Sequence, residues 1–151
     1  MWSYIGLAVG DMTSGLLSQA MRSRKKVVFI FILLTLCCIL LFLYSPVTTA
    51  NGFYVSCFML GFGIGYWALF VTIAAEQFGT NLRSTVTTTV PNFIRGTVVP
   101  LTWAFSFLSL RFGIIQGALF VGLGTIVVAL IALRSIEETF SRDMNFLEED
   151  K

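Results

Sequence analysis

Two ionisable side chains lie deep inside long apolar stretches, where an ionised group is costly. Asp11 precedes Arg22 by eleven residues, roughly 16 Å along a helix. Arg95 follows Arg83 by twelve residues, roughly 18 Å. Both charges therefore fall near the middle of a bilayer, where exposure to lipid costs about 2.5–3.5 kcal/mol. We expect both to face the protein interior and to lie close enough to interact, directly or through substrate or water. A structural ion pair and a role in binding substrate or transferring a proton both fit this pattern.

Small and polar residues extend the two helix faces that would carry these charges. At three- and four-residue spacing, the Asp11 face continues through Tyr4, Ala8, Gly15 and Ser18, and the Arg95 face through Thr88, Asn92, Thr102 and Ser106. Such stripes pack against other helices or line a cavity. Pro91 and Pro100 fall in the Arg95 stretch, and each tends to bend a helix by removing a backbone hydrogen bond. A gating or cavity-lining helix is one interpretation; the other is that prolines are common in membrane helices.

The elements that position these residues are predicted to be membrane-spanning helices. Hydrophobic residues make up 56% of the 151 and charged residues only 12%, against roughly 25% charge in soluble domains. The long apolar runs lack the alternation of barrel strands, and a spanning helix needs about 20 mainly apolar residues. The sequence therefore predicts an all-α membrane protein with a transmembrane domain at residues 1–134 and a tail at 135–151. Five spans are predicted at about residues 2–20, 27–44, 52–74, 85–108 and 112–133.

Glycines spaced along these spans predict close helix packing. Gly6 and Gly10 form one GxxxG pattern and Gly113 and Gly117 another, while three more crowd the third span between residues 61 and 65. The pattern is common in apolar sequence, so it predicts packing and no dimer.

Several classes of function are disfavoured by the residue types present. The chain has no histidine, which excludes histidine-based triads, metal sites and proton relays. Its three cysteines lie in apolar stretches without metal-ligand spacing, so we predict neither a metal nor a cofactor. One membrane aspartate without a paired carboxylate argues against an intramembrane enzyme. A net charge of +2 with scattered carriers gives no reason to expect nucleic-acid binding.

The orientation is predicted by a basic hairpin between the first two spans. Arg22, Arg24, Lys25 and Lys26 lie within five residues, and the positive-inside rule places such a loop in the cytoplasm. This choice puts eight of the ten basic residues inside, with Arg111 outside and Arg95 within a span. The N-terminus is then outside and the C-terminus inside, an arrangement natural for the end of a longer chain.

The tail is predicted to form an amphipathic helix. Ile136, Phe140, Met144 and Leu147 recur at helical spacing among six acidic and two basic residues. Anionic lipid would repel a net charge of −4, so we expect the tail to contact protein, such as the basic hairpin, or to lie on the membrane surface.

Three motifs in this chain are similar to signatures of one family of membrane proteins. Gly15, Arg24 and Lys25 fit a hairpin pattern of Gly, three residues, Asp, Arg, any residue, Gly and basic residues, in which Gln19, Ala20 and Arg22 stand at the Asp, first Arg and second Gly positions. The segment from Glu76 to Arg83 is similar to a signature of Glu, any residue, Phe, four residues and Arg, and residues 138–140 resemble a Glu-Thr tail. With these motifs in this order, the chain resembles the C-terminal half of major facilitator superfamily transporters, as helices eight to twelve of twelve. In that family the second motif lies between helices ten and eleven and the tail follows helix twelve.

The resemblance implies a secondary active transporter that moves a small solute by alternating access between two six-helix halves. Five helices would form most of the C-terminal half, and the missing N-terminal helices of the same transporter, a small-molecule substrate and membrane lipid would be its partners. The resemblance is greatest to bacterial members, which implies the bacterial inner membrane. The alternative is a small polytopic membrane scaffold or assembly subunit without transport activity.

The resemblance also implies roles for particular residues. Candidates for substrate or coupling are Asp11, Tyr66, Trp67, Asn92 and Arg95; candidates for the cytoplasmic gate and its signatures are Gly15, Arg22, Arg24, Lys25, Glu76 and Arg83. Glu76 and Arg83 are expected to brace the gate by charge pairing with the basic hairpin. Tyr66 and Trp67 have an ordinary alternative as helix-packing residues or interface anchors.

Overall fold

The computed structural model describes residues 1–45 and 49–140. Within those ranges the chain forms α-helices and no strand, in the order α1 Trp2–Met21, α2 Arg24–Tyr44, α3 Ala50–Gly63, α4 Trp67–Gln77, α5 Thr80–Gly96, α6 Val98–Phe112 and α7 Ile114–Ser135. The prediction of an all-α fold is therefore confirmed over the part of the chain that the structure describes.

Four helical stretches are long and apolar enough to cross a membrane, and they identify a membrane protein. They are Arg24–Tyr44, Ala50–Gln77, Thr80–Phe112 and Ile114–Ser135. The first predicted span is also a helix, α1, of 20 residues. It is not among the four because polar residues, Asp11 and several serines among them, lower its hydropathy.

Two of the predicted spans are interrupted near their middle. The third divides into α3 and α4 at residues 64–66, where Gly65 N–H donates to Phe62 O and Tyr66 N–H donates to Ile64 O. The fourth divides into α5 and α6 at Thr97. Pro100 explains the second break, because a proline cannot donate to the carbonyl four residues earlier, here that of Gly96, and its ring crowds that carbonyl. Pro91 lies inside α5 without ending it.

The glycines predicted to mediate packing lie where α1 contacts α3, and these two helices form the most extensive helix–helix contact in the structure. A Cβ added at Gly6 would collide with the Phe58 carbonyl oxygen, and one at Gly61 with that of Ser3. α1 also contacts α2 and α4. In the α6–α7 hairpin, Gly117 packs on Ser109 in the same way, with a Cβ position 2.9 Å from its amide nitrogen.

The apolar core lies around α2. Ser23 caps this helix by accepting a hydrogen bond from Lys26 N, and the apolar run that follows buries one face. The buried side chains of this core are Val27, Val28, Phe31 and Ile32 of α2, Leu69 and Ile73 of α4, and Ile126 and Leu133 of α7. In contrast, α5 and α6 contain no buried residue; α5 contacts α4 and α6, and α6 packs on α7.

The first residues of the tail, Ile136 to Phe140, are not part of a helix, and the rest of the amphipathic helix predicted for the tail lies outside the described residues. Ile136 has extended backbone angles, φ −76° and ψ 134°, and the segment to Phe140 is not helical. Polar groups of this segment bind the basic hairpin, and the segment does not continue α7. Met144 and Leu147 lie outside the described residues.

Candidate functional site

The break between α3 and α4 places a helix N-terminus in the middle of a span. The first N–H groups of α4 have no partner within the helix, and Tyr66, which precedes it, supplies no side-chain cap. Asp11 of α1 provides one, since its Oδ1 accepts a hydrogen bond from Ala68 N at 3.1 Å. A carboxylate is stabilised at this position by the partial positive charge of the helix N-terminus.

Two glycines bring Asp11 to that position. Gly65 lies in the break against Gly10, and a Cβ at Gly65 would collide with Gly10 Cα and lie 2.7 Å from Asp11 N. The two backbones can approach this closely only because neither residue has a side chain. The glycine pattern thus positions the charged group.

An apolar cavity of about 530 Å³ lies beside the same break. Tyr66 and Trp67 line it together with Phe70 of α4, Leu7 of α1 and Ile94 of α5, and α2 and α7 complete the walls. Tyr66 is half-buried and its ring also packs edge-on against Phe31 at 6.3 Å between centroids. The cavity has room for a small apolar or aromatic group, and the two predicted aromatic candidates form part of its surface.

The expected approach of Asp11 and Arg95 is absent. α5 does not contact α1, and the structure gives the Arg95 side chain no hydrogen bond or ion pair with residues 1–45 or 49–140. Arg95 and Asn92 are both exposed. The reason is that α5 packs only on α4 and α6, so its polar face stays uncovered while Asp11 caps α4.

A second polar cluster forms where α1 ends and α2 begins. Arg24 makes a bidentate ion pair with Glu76 of α4, with Nε–Oε2 at 2.6 Å and Nη2–Oε1 at 2.5 Å. Arg24 Nη1 also donates to the fully buried Ser18 hydroxyl at 3.2 Å, and its guanidinium lies 5.8 Å from the centre of the Phe140 ring. Glu76 is only 6% exposed. The structure therefore contains the pairing expected between Glu76 and the basic hairpin.

The segment after α7 completes this cluster, which we call the hairpin cluster (Ser18, Ser23, Arg24, Lys25, Glu76 and Glu138). Glu138 accepts hydrogen bonds from the Ser23 hydroxyl and from the backbone N–H groups of Arg24, at 2.9 Å, and Lys25, at 3.4 Å. Partial burial alone would raise the pKa of Glu138, but the hydrogen bonds from Ser23 and from backbone N–H groups outweigh it and hold the pKa below its usual range. Lys25 Nζ donates to the carbonyls of Arg134 and Ile136. The N-terminal end of α2 therefore has the Glu138 carboxylate beside it and the C-terminal end of α7 has the Lys25 ammonium, and each charge is stabilised by the dipole of that helix end.

The remaining signature residues have separate positions. Arg83 ties the α4–α5 turn, because its Nε donates to Ala75 O at 3.0 Å and its Nη2 to Phe78 O at 3.4 Å. Arg22 ends α1 in a left-handed conformation, φ 46°, that favours glycine. Gly15 has open space where a Cβ would be.

Sequence reasoning did not place Ser18, Ser23 or Glu138 at this cluster; it named Ser18 only in the Asp11 stripe. A serine before a helical run that begins with basic residues is a capping signal, so Ser23 could have been found. Glu138 was noted only as part of the tail, because its partners lie more than 110 residues earlier in the chain.

No group of three His, Cys, Asp or Glu side chains in the described ranges is placed to hold a metal ion. Comparison with protein-family models, with curated proteins and with solved structures found no match for this chain.

Proposed function

We propose that this chain is part of a secondary active transporter that moves a small solute across a membrane by alternating access. The observation that carries the proposal is the break in the Ala50–Gln77 span, with the Asp11 carboxylate on the N-terminus of α4 and an apolar cavity beside it. Interrupted helices whose half-helix ends point at a site near the bilayer midplane are characteristic of secondary transporters.

The position of residues 64–66 near mid-depth supports the interpretation that this break in the helix lines a cavity. Non-helical backbone in the hydrocarbon region is tolerated only where protein buries it or where it lines a water-filled cavity. Residues 64–66 lie near the centre of a 28-residue stretch, and Asp11 lies near the centre of α1. In this proposal α1 is a fifth span whose polar side faces α3 and α4, consistent with the burial of Ser14 and Ser18.

Each part of the site then has a role. Asp11 holds the half-helix α4 and is the candidate for coupling or substrate binding. Tyr66 and Trp67 contact the apolar part of the solute. Asn92 and Arg95 lie on the exposed face of α5, through which the rest of the transporter would pack. The hairpin cluster fixes the ends of α1, α2, α4 and α7 to one another, as a gate on one side of the membrane requires.

The experiment that tests this proposal removes the charge of each mid-depth residue and keeps a polar side chain in its place. Asp11→Asn keeps an oxygen that can accept from Ala68 N while removing the charge, and Arg95→Gln removes the other charge. In the full-length protein, both should lower solute uptake far more than Arg111→Gln, since Arg111 is exposed at the end of α6. Normal membrane levels with undiminished uptake in both variants would refute the transport role.

The second candidate is a membrane scaffold or assembly subunit. The observation in its favour is the α5–α6 stretch, 33 residues without a buried side chain, which offers a long surface to another protein. A scaffold predicts that Asp11→Asn leaves uptake unaffected in every substrate class tested and that changes on α5 disturb assembly alone.

A further inference from the structure

Arg95 lies at the centre of the Thr80–Phe112 stretch, beyond reach of either membrane surface. It is fifteen residues from the start of that stretch and seventeen from its end. These separations correspond to roughly 22 and 26 Å along the helices. Half of the hydrocarbon core is about 15 Å thick, so the guanidinium cannot simply extend into water from this depth.

The acidic side chains of the described ranges are engaged elsewhere. Asp11 caps α4, Glu76 pairs with Arg24 and Glu138 accepts from Ser23. Glu137 follows the end of α7 and is not at the depth of Arg95. None of the acidic side chains in the described ranges therefore pairs with Arg95.

The surroundings of Arg95 have the composition of a protein interface. On the helix face that carries Arg95, Asn92 and Arg95 are exposed, and Val99 and Trp103, four and eight residues after Arg95, are 74% and 73% exposed. Lipid would suit the two apolar side chains and penalise the cation, whereas a water-filled path would suit the cation and penalise the apolar pair. A protein surface that is apolar and carries one acidic group would satisfy the two apolar side chains, the amide and the cation together.

We propose that the exposed face of α5 and the first turn of α6 binds a partner transmembrane helix that carries a carboxylate at the depth of Arg95. Residues 141–151 are too few to cross a membrane, so the partner helix lies outside this 151-residue sequence. Intramembrane cations in proteins pair with acidic groups or backbone carbonyls. An Arg–carboxylate pair has no net charge, so it costs less in the hydrocarbon core than an isolated arginine. The inference holds for a transporter and for a scaffold alike, because it depends on the depth and exposure of Arg95 alone.

Photo-cross-linking in native membranes tests the partner directly. A benzophenone amino acid is placed at Val99, one turn after Arg95, and as a matched control at Val128 of α7, which is 66% exposed. We expect position 99 to capture one polypeptide segment, mapped by mass spectrometry to an apolar stretch with Asp or Glu within about one turn of the attachment point, and position 128 to capture lipid only. Attachment at position 99 to lipid alone, to another copy of this chain, or to a segment without an acidic residue would overturn the proposal.

Exchanging the charges of Arg95 and its partner residue tests the proposal even if one of the single variants folds poorly. Arg95→Glu should lower the membrane level of the protein several-fold, because two carboxylates would then meet at mid-depth. Changing the captured acidic residue of the partner to Arg should restore that level, and Arg95→Lys should retain it. If Arg95→Glu is not rescued by the exchanged partner, the two residues do not pair.

Discussion

Arg24 connects more of the molecule than any other charged residue whose contacts we describe. Its guanidinium on α2 reaches Ser18 of α1, Glu76 of α4 and the ring of Phe140 after α7. Because the Glu76 carboxylate is buried, removing its partner leaves an unpaired charge in the protein.

We therefore predict that Arg24→Met destabilises the protein by about 3–5 kcal/mol, the range found when one partner of a buried ion pair is removed. Lys26→Met is the matched control, since Lys26 is exposed and the charge lost is the same. Thermal unfolding in detergent measures both. Replacing Arg24 and Glu76 together by methionine should cost less than the sum of the single changes; strict additivity would show that the pair does not interact.

Glu138 makes the hairpin cluster sensitive to acid. Its pKa is lower in the folded protein than in the unfolded chain, so its contribution to stability is present above the unfolded value of 4.5 and is lost as the pH falls through the folded value. Glu138→Gln should lower the unfolding temperature at neutral pH and have progressively less effect below about pH 4. An effect of Glu138→Gln that stays constant from neutral to acid pH would contradict this origin.

At the scale of elements, the sequence predicted the extent of each span and a bend in the fourth at Pro100, but it did not predict the break in the third. Apolar runs fix where a helix can cross, and all five predicted stretches are helical over most of their length. The break at residues 64–66 depends on contacts that only the folded chain makes, namely Gly10 against Gly65 and Asp11 on α4. The crowding of glycines in the third span was its one local signal. For the candidate site, the sequence identified Asp11 and Arg95 as costly charges, but their partners are set by which helices touch.

The contact between α1 and α3 offers a sharp test of this packing. A Cβ at Gly10 would lie 2.5 Å from Phe62 O, whereas one at Gly15, five residues along the same helix, meets nothing within 4 Å. Gly10→Ala should therefore destabilise the protein by about 1–3 kcal/mol through forced separation of the helices. Gly15→Ala should stabilise it by roughly 0.5–1 kcal/mol, because alanine loses less conformational freedom in a helix. Thermal unfolding of the two variants in the same detergent measures the contrast, and equal effects would contradict the packing.

At the scale of the molecule, six of the eight basic residues that the structure describes lie at one end, and only Arg95 and Arg111 lie elsewhere. The hairpin cluster joins the C-terminal ends of α1 and α4, the N-terminal end of α2 and the segment after α7. Arg83 ties the turn after α4 at the same end. The α6–α7 turn at Gly113 is at the far end of the 22-residue helix α7, roughly 33 Å away. A molecule so polarised satisfies the positive-inside rule in one orientation only.

The basic end should therefore face the cytoplasm. In a variant without its three cysteines, single cysteines at the exposed positions Lys26 and Ile114 report the two ends. Ser23 would be a poor reporter because it is buried in the hairpin cluster. We expect an impermeant maleimide added to intact cells to label position 114 and to reach position 26 only after the membrane is opened. Labelling of position 26 in intact cells, with position 114 protected, would reverse the orientation and place the hairpin cluster, and the gate proposed there, on the outer side.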